Sequence, residues 1–223
     1  MIQVKNLTKK FSSHISLDNV NVEFNKDEYI ALMGPNGAGK TTFYKKNLND
    51  KFINEDVLYI NADEIKQELV KSGVEDNYAK IKSGQVAVSK MSECIKQNKN
   101  FAFETTFTDN GQMGSIAIVK ELKKSGYEVE GYFIHTKDVN INIERVKSRA
   151  EDKTGHFVPA EVIKERYDLC VKNVTENSHL FDKFNYIDNT NLDYKISDEK
   201  ILEKEIKKVF KHKALKKDNE IER

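Results

Sequence analysis

Residues 2–7 and 15–24 alternate apolar and polar side chains, as half-buried strands do, and the first can pair with the second across Lys9–His14. Glu28–Met33 is a short apolar run that enters a glycine-rich turn, the pattern of a fully buried strand. Thr41–Leu48 then has helical spacing. Further buried strands are predicted over Val57–Asn61, Asn100–Glu104, Tyr127–His135 and Phe184–Ile187. Helices are predicted over Gln85–Lys96, with Val86, Val88, Met91 and Ile95 as the apolar stripe, and over Ile116–Ser125, where Gly126 ends the helix. Two more fall at Ile141–Ala150 and Glu161–Val174. Ser197–Arg223 reads as a charged terminal helix that docks through Ile201, Ile206, Val209 and Phe210. Strands alternating with helices predict an α/β fold: a mainly parallel sheet covered by helices on both faces, with an antiparallel β addition at the N-terminus and a helix at the C-terminus.

Composition narrows the classes. With 33% charged residues but a net charge of only +1, the chain carries no global electrostatic case for nucleic acid or a membrane surface. No apolar run is long enough to span a bilayer, and the basic N-terminus lacks the apolar core of a signal peptide. Cys94 and Cys170 form neither a disulfide framework nor a metal spacing, so reduced thiols in a cytoplasmic setting are expected. The five histidines show no metal-ligand spacing, and the scattered aromatics offer no stacking platform for bases.

The strongest chemical signal is Gly34-Pro35-Asn36-Gly37-Ala38-Gly39-Lys40-Thr41, followed by Thr42. It fits the Walker A spacing between a predicted strand and a predicted helix. Glycines let the backbone aim successive N–H groups at phosphate oxygens, and the helix adds its positive end. Lys40 can reach the β- and γ-phosphates, and the Thr41 hydroxyl can hold magnesium. ATP and Mg2+ are therefore the expected ligands. The loop predicts nucleotide binding but not the reaction.

Two family resemblances meet at this loop. Residues 1–42, MIQVKNLTKKF with ISLDNVNVEF and EYIALMGPNGAGKTT, resemble the opening of an ABC-transporter ATPase. Beyond them only Ser83-Gly84-Gln85 is similar to that family's signature, and Phe101–Glu104 to its Walker B strand. Ser83 follows Lys40 too closely to admit the helical subdomain that separates these parts in an ABC ATPase. From Met33 to about Thr190 the chain resembles the zeta-toxin family of P-loop kinases. GPNGAGKTTFY, YINADEI, FAFETTF, GYEVEGYFIHT, INIERVKSRA, GHFVPAEVIKERY and YIDNT occur in family order. The resemblance implies a P-loop NTPase fold divided as residues 1–27 (β addition), 28–190 (kinase domain) and 191–223 (charged helix). It implies phosphorylation of a hydroxyl of UDP-N-acetylglucosamine, and a small antitoxin as partner.

Asp63 lies just past a strand end, where a carboxylate can take the proton of an incoming hydroxyl. The family's catalytic base matches it; the alternative is an N-cap for a helix beginning near Glu64. Asn61 is expected to support substrate or the turn. Glu104 ends a strand beside Thr105 and Thr106 and can accept a water ligand of magnesium or hold the sugar. The resemblance puts Glu104 and Thr106 at the junction of substrate and phosphate. Arg145 and Arg149 share one helix face, and the resemblance implies that Arg145 stabilises charge on the transferred phosphate. A second phosphate clamp stays open between Arg149, His156 and Arg166. Two other readings remain: a P-loop kinase for another small-molecule or nucleic-acid acceptor, and an ABC-like ATPase that acts as an ATP-driven switch.

Overall fold

The computed structural model describes residues 2–11, 14–24, 28–48, 57–97, 99–109, 114–152, 155 and 157–197. Strands β1 (Ile2–Phe11) and β2 (His14–Phe24) form an antiparallel pair with irregular register. Both run longer than the alternation predicts. The main sheet takes β3 (Glu28–Met33), β4 (Leu58–Ile60), β5 (Phe101–Thr105), β6 (Glu128–His135), β7 (Lys183–Asp188) and β8 (Lys195–Ser197). Its order is β4-β5-β3-β6-β7-β8. Five strands are parallel, and β8 returns antiparallel on β7. The short β8 differs from the sequence expectation, which puts Ser197 in a helix; the rest of that expected helix lies outside the described residues.

Alternate residues of β3 enter two separate apolar clusters, as a strand buried on both faces requires. Tyr29, Ala31 and Met33 pack with α3 (Asp76–Lys96), α4 (Ser115–Lys124) and α6 (Ala160–Asn177). Ile30 and Leu32 pack with Phe43 and Tyr44 behind the glycine-rich loop. Two further helices are α2 (Ala62–Lys71), which precedes α3, and α5 (Val139–Glu151), which precedes α6. Within the first cluster, Phe101, Phe103, Phe107 and Phe133 are fully buried.

Three helices depart from expectation. The helix after the loop is α-helical only over Lys40–Phe43 (α1); Tyr44–Leu48 is a π-helical turn. Helix α2 begins at Ala62, earlier than the alternative start near Glu64. Helix α3 begins at Asp76, nine residues before the predicted start, because the Glu75 side chain accepts from the Asn77 and Tyr78 amides and supplies an N-cap. Its buried face is Ala79, Ser83, Ala87, Met91 and Cys94; of the predicted stripe Met91 is buried and Val86 and Ile95 pack against the same cluster, but Val88 is 50% exposed. The small residues Ala79, Ser83 and Ala87 let α3 lie close to its neighbours, which an apolarity pattern alone does not register.

The two faces of α3 separate in a stability measurement. Met91→Ala removes a buried side chain and should cost about 2–5 kcal/mol. Val88→Ala should stay within about 0.5 kcal/mol. Denaturant unfolding of both variants reads the difference, and the predicted stripe requires the two costs to be alike.

Candidate functional site

The loop after β3 lies at the carboxyl end of the parallel strands. There the neighbours of β3 diverge to β5 on one side and β6 on the other, the position where open α/β sheets hold ligands. Gly37 and Gly39 have φ of 80° and 97°. A Cβ on Gly37 would stand 2.5 Å from the Asn142 carbonyl oxygen, and one on Gly39 would stand 2.4 Å from Asn189 Nδ2. These two glycines are thus required by both conformation and space.

Residues far along the chain hold the loop from outside. Asn142 Nδ2 on α5 donates to the Asn36 carbonyl at 2.8 Å, and the Asn142 amide oxygen accepts from the buried Thr136 hydroxyl. Asn189, just past β7, donates to the Ala38 carbonyl at 2.7 Å. The Tyr194 hydroxyl donates to the Gly39 carbonyl at 3.1 Å. Arg166 of α6 donates to Asn36 Oδ1 at 3.0 Å. The connection from β7 to β8 that delivers Tyr194 carries left-handed backbone at Leu192 and Tyr194. Such strain persists only where surrounding contacts enforce it. Sequence reading missed Asn142, Asn189 and Tyr194; the available signals were the INIERVKSRA segment, which contains Asn142, and the YIDNT segment, which contains Asn189.

A polar cluster gathers around Glu104, in register with Leu32 of β3. One carboxylate oxygen, Oε2, accepts from the Thr41 hydroxyl at 2.8 Å, the Tyr59 hydroxyl at 2.6 Å and Asn61 Nδ2 at 3.0 Å. The other, Oε1, lies 3.6 Å from Lys40 Nζ. Lys40 is buried and donates to the carbonyls of Gly34 at 2.8 Å and Pro35 at 3.3 Å. Asn61 also works at its other amide atom, where Oδ1 accepts from the Asp63 and Glu64 amides and caps α2. Asn61 is therefore the N-cap, and Asp63 stands in the first turn of α2 with its carboxylate exposed. No side-chain hydrogen bond or ion pair holds Asp63 among the described residues. Past β5, Phe107 is fully buried with φ of 53°; its amide donates to the Thr105 hydroxyl, and its carbonyl accepts from Asn173. On this fixed turn the Thr106 and Thr108 hydroxyls lie 3.0 Å apart.

The structure thus brings together Lys40, Thr41, Asn61 and Glu104. Arg145 stands elsewhere. Its Nη2 donates to the carbonyls of Asn189 at 2.9 Å and Thr190 at 3.0 Å. It lines a cavity of about 420 Å³ with Gly37, Gly39, Thr42, Arg149 and Tyr194. Its Nη1 is buried with no hydrogen-bond partner. Burial pulls the guanidinium below its ordinary pKa, opposed by nearby Tyr194. A desolvated cation beside a phosphate-binding turn favours an anionic ligand. His156, one of the three alternatives for a second clamp, lies outside the described residues.

Among the described residues no cluster of three His, Cys, Asp or Glu side chains could hold a metal ion. Thr41 Oγ1 beside the Glu104 carboxylate is a pair of hard oxygen donors. That suits magnesium, which keeps waters and takes its other ligands from phosphates. Among the same residues no helix is long and apolar enough to cross a membrane.

Comparison with known proteins bears on the family and the fold. The family model described as Zeta toxin matches residues 14–199. The structure of the PezAT chromosomal toxin–antitoxin system of Streptococcus pneumoniae is similar at TM-score 0.58 and 20% identity, covering 79% of this chain and 72% of that one. AvrRxo1-ORF1:-ORF2 with ATP is similar at TM-score 0.61 and 13% identity, covering 81% and 64%. At these identities the likeness shows the fold. The N-terminal segment is 50% identical over 44 residues to the sulfate/thiosulfate import ATP-binding protein CysA of Bradyrhizobium diazoefficiens, which is 20% of this chain and 13% of that protein. The chain thus spans only a small part of that relative, and the ABC-like likeness is local to the opening and the loop.

Asp188, at the end of β7 beside the loop's supports, carries a testable pH dependence. Burial alone raises its pKa. The Thr190 hydroxyl and amide, with His135 and Lys137, outweigh that and hold the carboxyl below the ordinary aspartate value. A depressed folded-state pKa stabilises the fold above the unfolded value and loses that contribution as pH falls through the folded one. Asp188→Asn should therefore lower the thermal midpoint at pH 7 and flatten the decline of stability below about pH 4. Parallel acid-limb slopes in wild type and variant would refute this.

Proposed function

Because this chain belongs to the zeta toxin family, we propose that it is an ATP-dependent phosphotransferase that phosphorylates a hydroxyl of UDP-N-acetylglucosamine. The observation that carries this reading is the Glu104 cluster. It sets a buried lysine, a magnesium-competent threonine and a carboxylate at the carboxyl end of parallel strands, and its Asn61 caps the helix whose first turn carries the exposed Asp63.

The loop from Gly34 to Thr42 holds the phosphates, and the cavity walled by Gly39, Thr42, Arg145, Leu192 and Tyr194 takes the nucleoside. Magnesium would be held by Thr41 Oγ1, with Glu104 receiving a water ligand, and would supply charge neutralisation at the β- and γ-phosphates. Lys40 neutralises the same phosphates from within the loop. Arg145 offers its unpartnered Nη1 to the nucleotide's negative charge. Asp63 takes the proton of the acceptor hydroxyl as its oxygen bonds to the γ-phosphorus and the bond to the β–γ bridging oxygen breaks, with ADP as leaving group. Asn61 fixes the first turn of α2 and so the place of Asp63. Thr106 and Thr108 present hydroxyls to the acceptor. A small antitoxin protein is the expected partner, and the cytoplasm, where both substrates reside, the expected compartment.

Purified protein with ATP, Mg2+ and UDP-N-acetylglucosamine should yield a phosphorylated sugar nucleotide, read by mass spectrometry. Lys40→Ala should abolish it. Asp63→Asn should lower turnover by about 10²–10⁴-fold and leave ATP affinity within about twofold. Transfer only to another acceptor in a panel of sugar nucleotides, antibiotics and 5′-hydroxyl oligonucleotides would replace the substrate and keep the kinase. Hydrolysis without any acceptor, coupled to ATP-dependent dimerisation, would replace the kinase with an ABC-like switch.

A further inference from the structure

Tyr59 has no part in the mechanism above, yet its hydroxyl makes the shortest of the three hydrogen bonds to Glu104 Oε2, at 2.6 Å. The same hydroxyl accepts from Asn61 Nδ2 at 3.3 Å. At its other end the ring lies flat on Tyr44, with centroids 3.6 Å apart and planes 7° from parallel. Tyr44 is the first residue of the π-helical turn that follows α1, and it is buried in the apolar cluster behind the loop. Tyr59 is thus fixed by stacking against the loop's own helix and by hydrogen bonds at the carboxylate.

That placement answers a competition at Glu104. Lys40 attracts Oε1 from 3.6 Å, beyond hydrogen-bond contact, while Thr41 and Asn61 hold Oε2. A glutamate side chain has three rotatable bonds, and the charge-assisted bond from Tyr59 is the strongest restraint on the Thr41 side. With that bond removed, the carboxylate can turn toward Lys40 and close a tighter ion pair. It would then leave the hydroxyl of Thr41, and it would occupy the lysine that the phosphates need. We propose that Tyr59 is a positioning residue, which holds Glu104 on Thr41 and so sets how readily the site takes up magnesium together with nucleotide. Burial first, and then the Glu104 carboxylate, raise the phenol above its ordinary pKa, so the hydroxyl remains a donor at working pH. The inference rests on the nucleotide and metal in the proposed function, not on the identity of the acceptor.

The test is equilibrium binding of ATP to the full chain, titrated with Mg2+ and repeated in EDTA, for wild type and Tyr59→Phe. The phenylalanine keeps the ring on Tyr44, and a thermal melt checks that the fold is kept. The Mg2+ midpoint should rise about tenfold in Tyr59→Phe, while the affinity for ATP in EDTA stays within about twofold. In a Glu104→Gln background the same substitution should add nothing, since the residue acts through that carboxylate. An unchanged Mg2+ midpoint overturns the proposal. So does an equal loss with and without metal, or a full additional shift in the Glu104→Gln background. If the expected pattern holds but UDP-N-acetylglucosamine is not phosphorylated, only the acceptor reading fails. If the wild type binds no ATP, both fall.

Discussion

The carboxylate of Glu104 is the constraint on which the site depends. A carboxylate largely withdrawn from water is costly unless its lone pairs and its charge are answered. Here one oxygen takes three donors and the other faces a buried ammonium. The donors come from α1, from β4 and from the cap of α2, so satisfying one side chain fixes the relative placement of three elements. Parallel register does the rest. Leu32 opposite Glu104 and Met33 opposite Thr105 set the strand end level with the first glycine of the loop.

The loop is a second case of support from a distance. A run of glycines cannot hold its own shape, because its conformational freedom works against any single arrangement. The side chains that hold its carbonyls come from residues 106 to 155 positions away in sequence: Asn142, Asn189 and Tyr194. Two of these belong to the connection between β7 and β8, which includes left-handed backbone at two non-glycine residues. The same connection and α5 wall the cavity beside the loop. Strain at one end of the sheet therefore serves the ligand site at its centre.

Buried strands were the most legible part of the fold. Glu28–Met33 was placed as it occurs, and the strand expected over Asn100–Glu104 lies within a residue at each end of the observed Phe101–Thr105, because both are largely apolar runs bounded by turn-forming residues. Helix α3 was read short, and its stripe took in the exposed Val88 while leaving out the small residues, since its close packing uses Ala79, Ser83 and Ala87 and its start depends on a glutamate cap. Strand β8 has only three residues and makes sense only as the partner of β7. In the site, Lys40, Thr41, Asn61 and Glu104 could be picked from motifs and strand ends. Tyr59 could not, because nothing in YINADEI says which way its ring turns.

The sequence by itself determined the buried parallel strands, most of the helices between them, the glycine-rich phosphate loop, and the family. Each of these is written in local pattern: apolar runs, glycine spacing and motif order. Only the tertiary structure decided that Arg145 lines a cavity on the Asn189 and Thr190 carbonyls, that Asn142, Asn189 and Tyr194 hold the loop, and that Tyr59 and Asn61 share Glu104 with Thr41. The physical reason is that hydrogen bonds to buried carbonyls and carboxylates depend on direction and on distances of about 3 Å. Those are fixed by how strands far apart in the chain come into register, which no local pattern encodes.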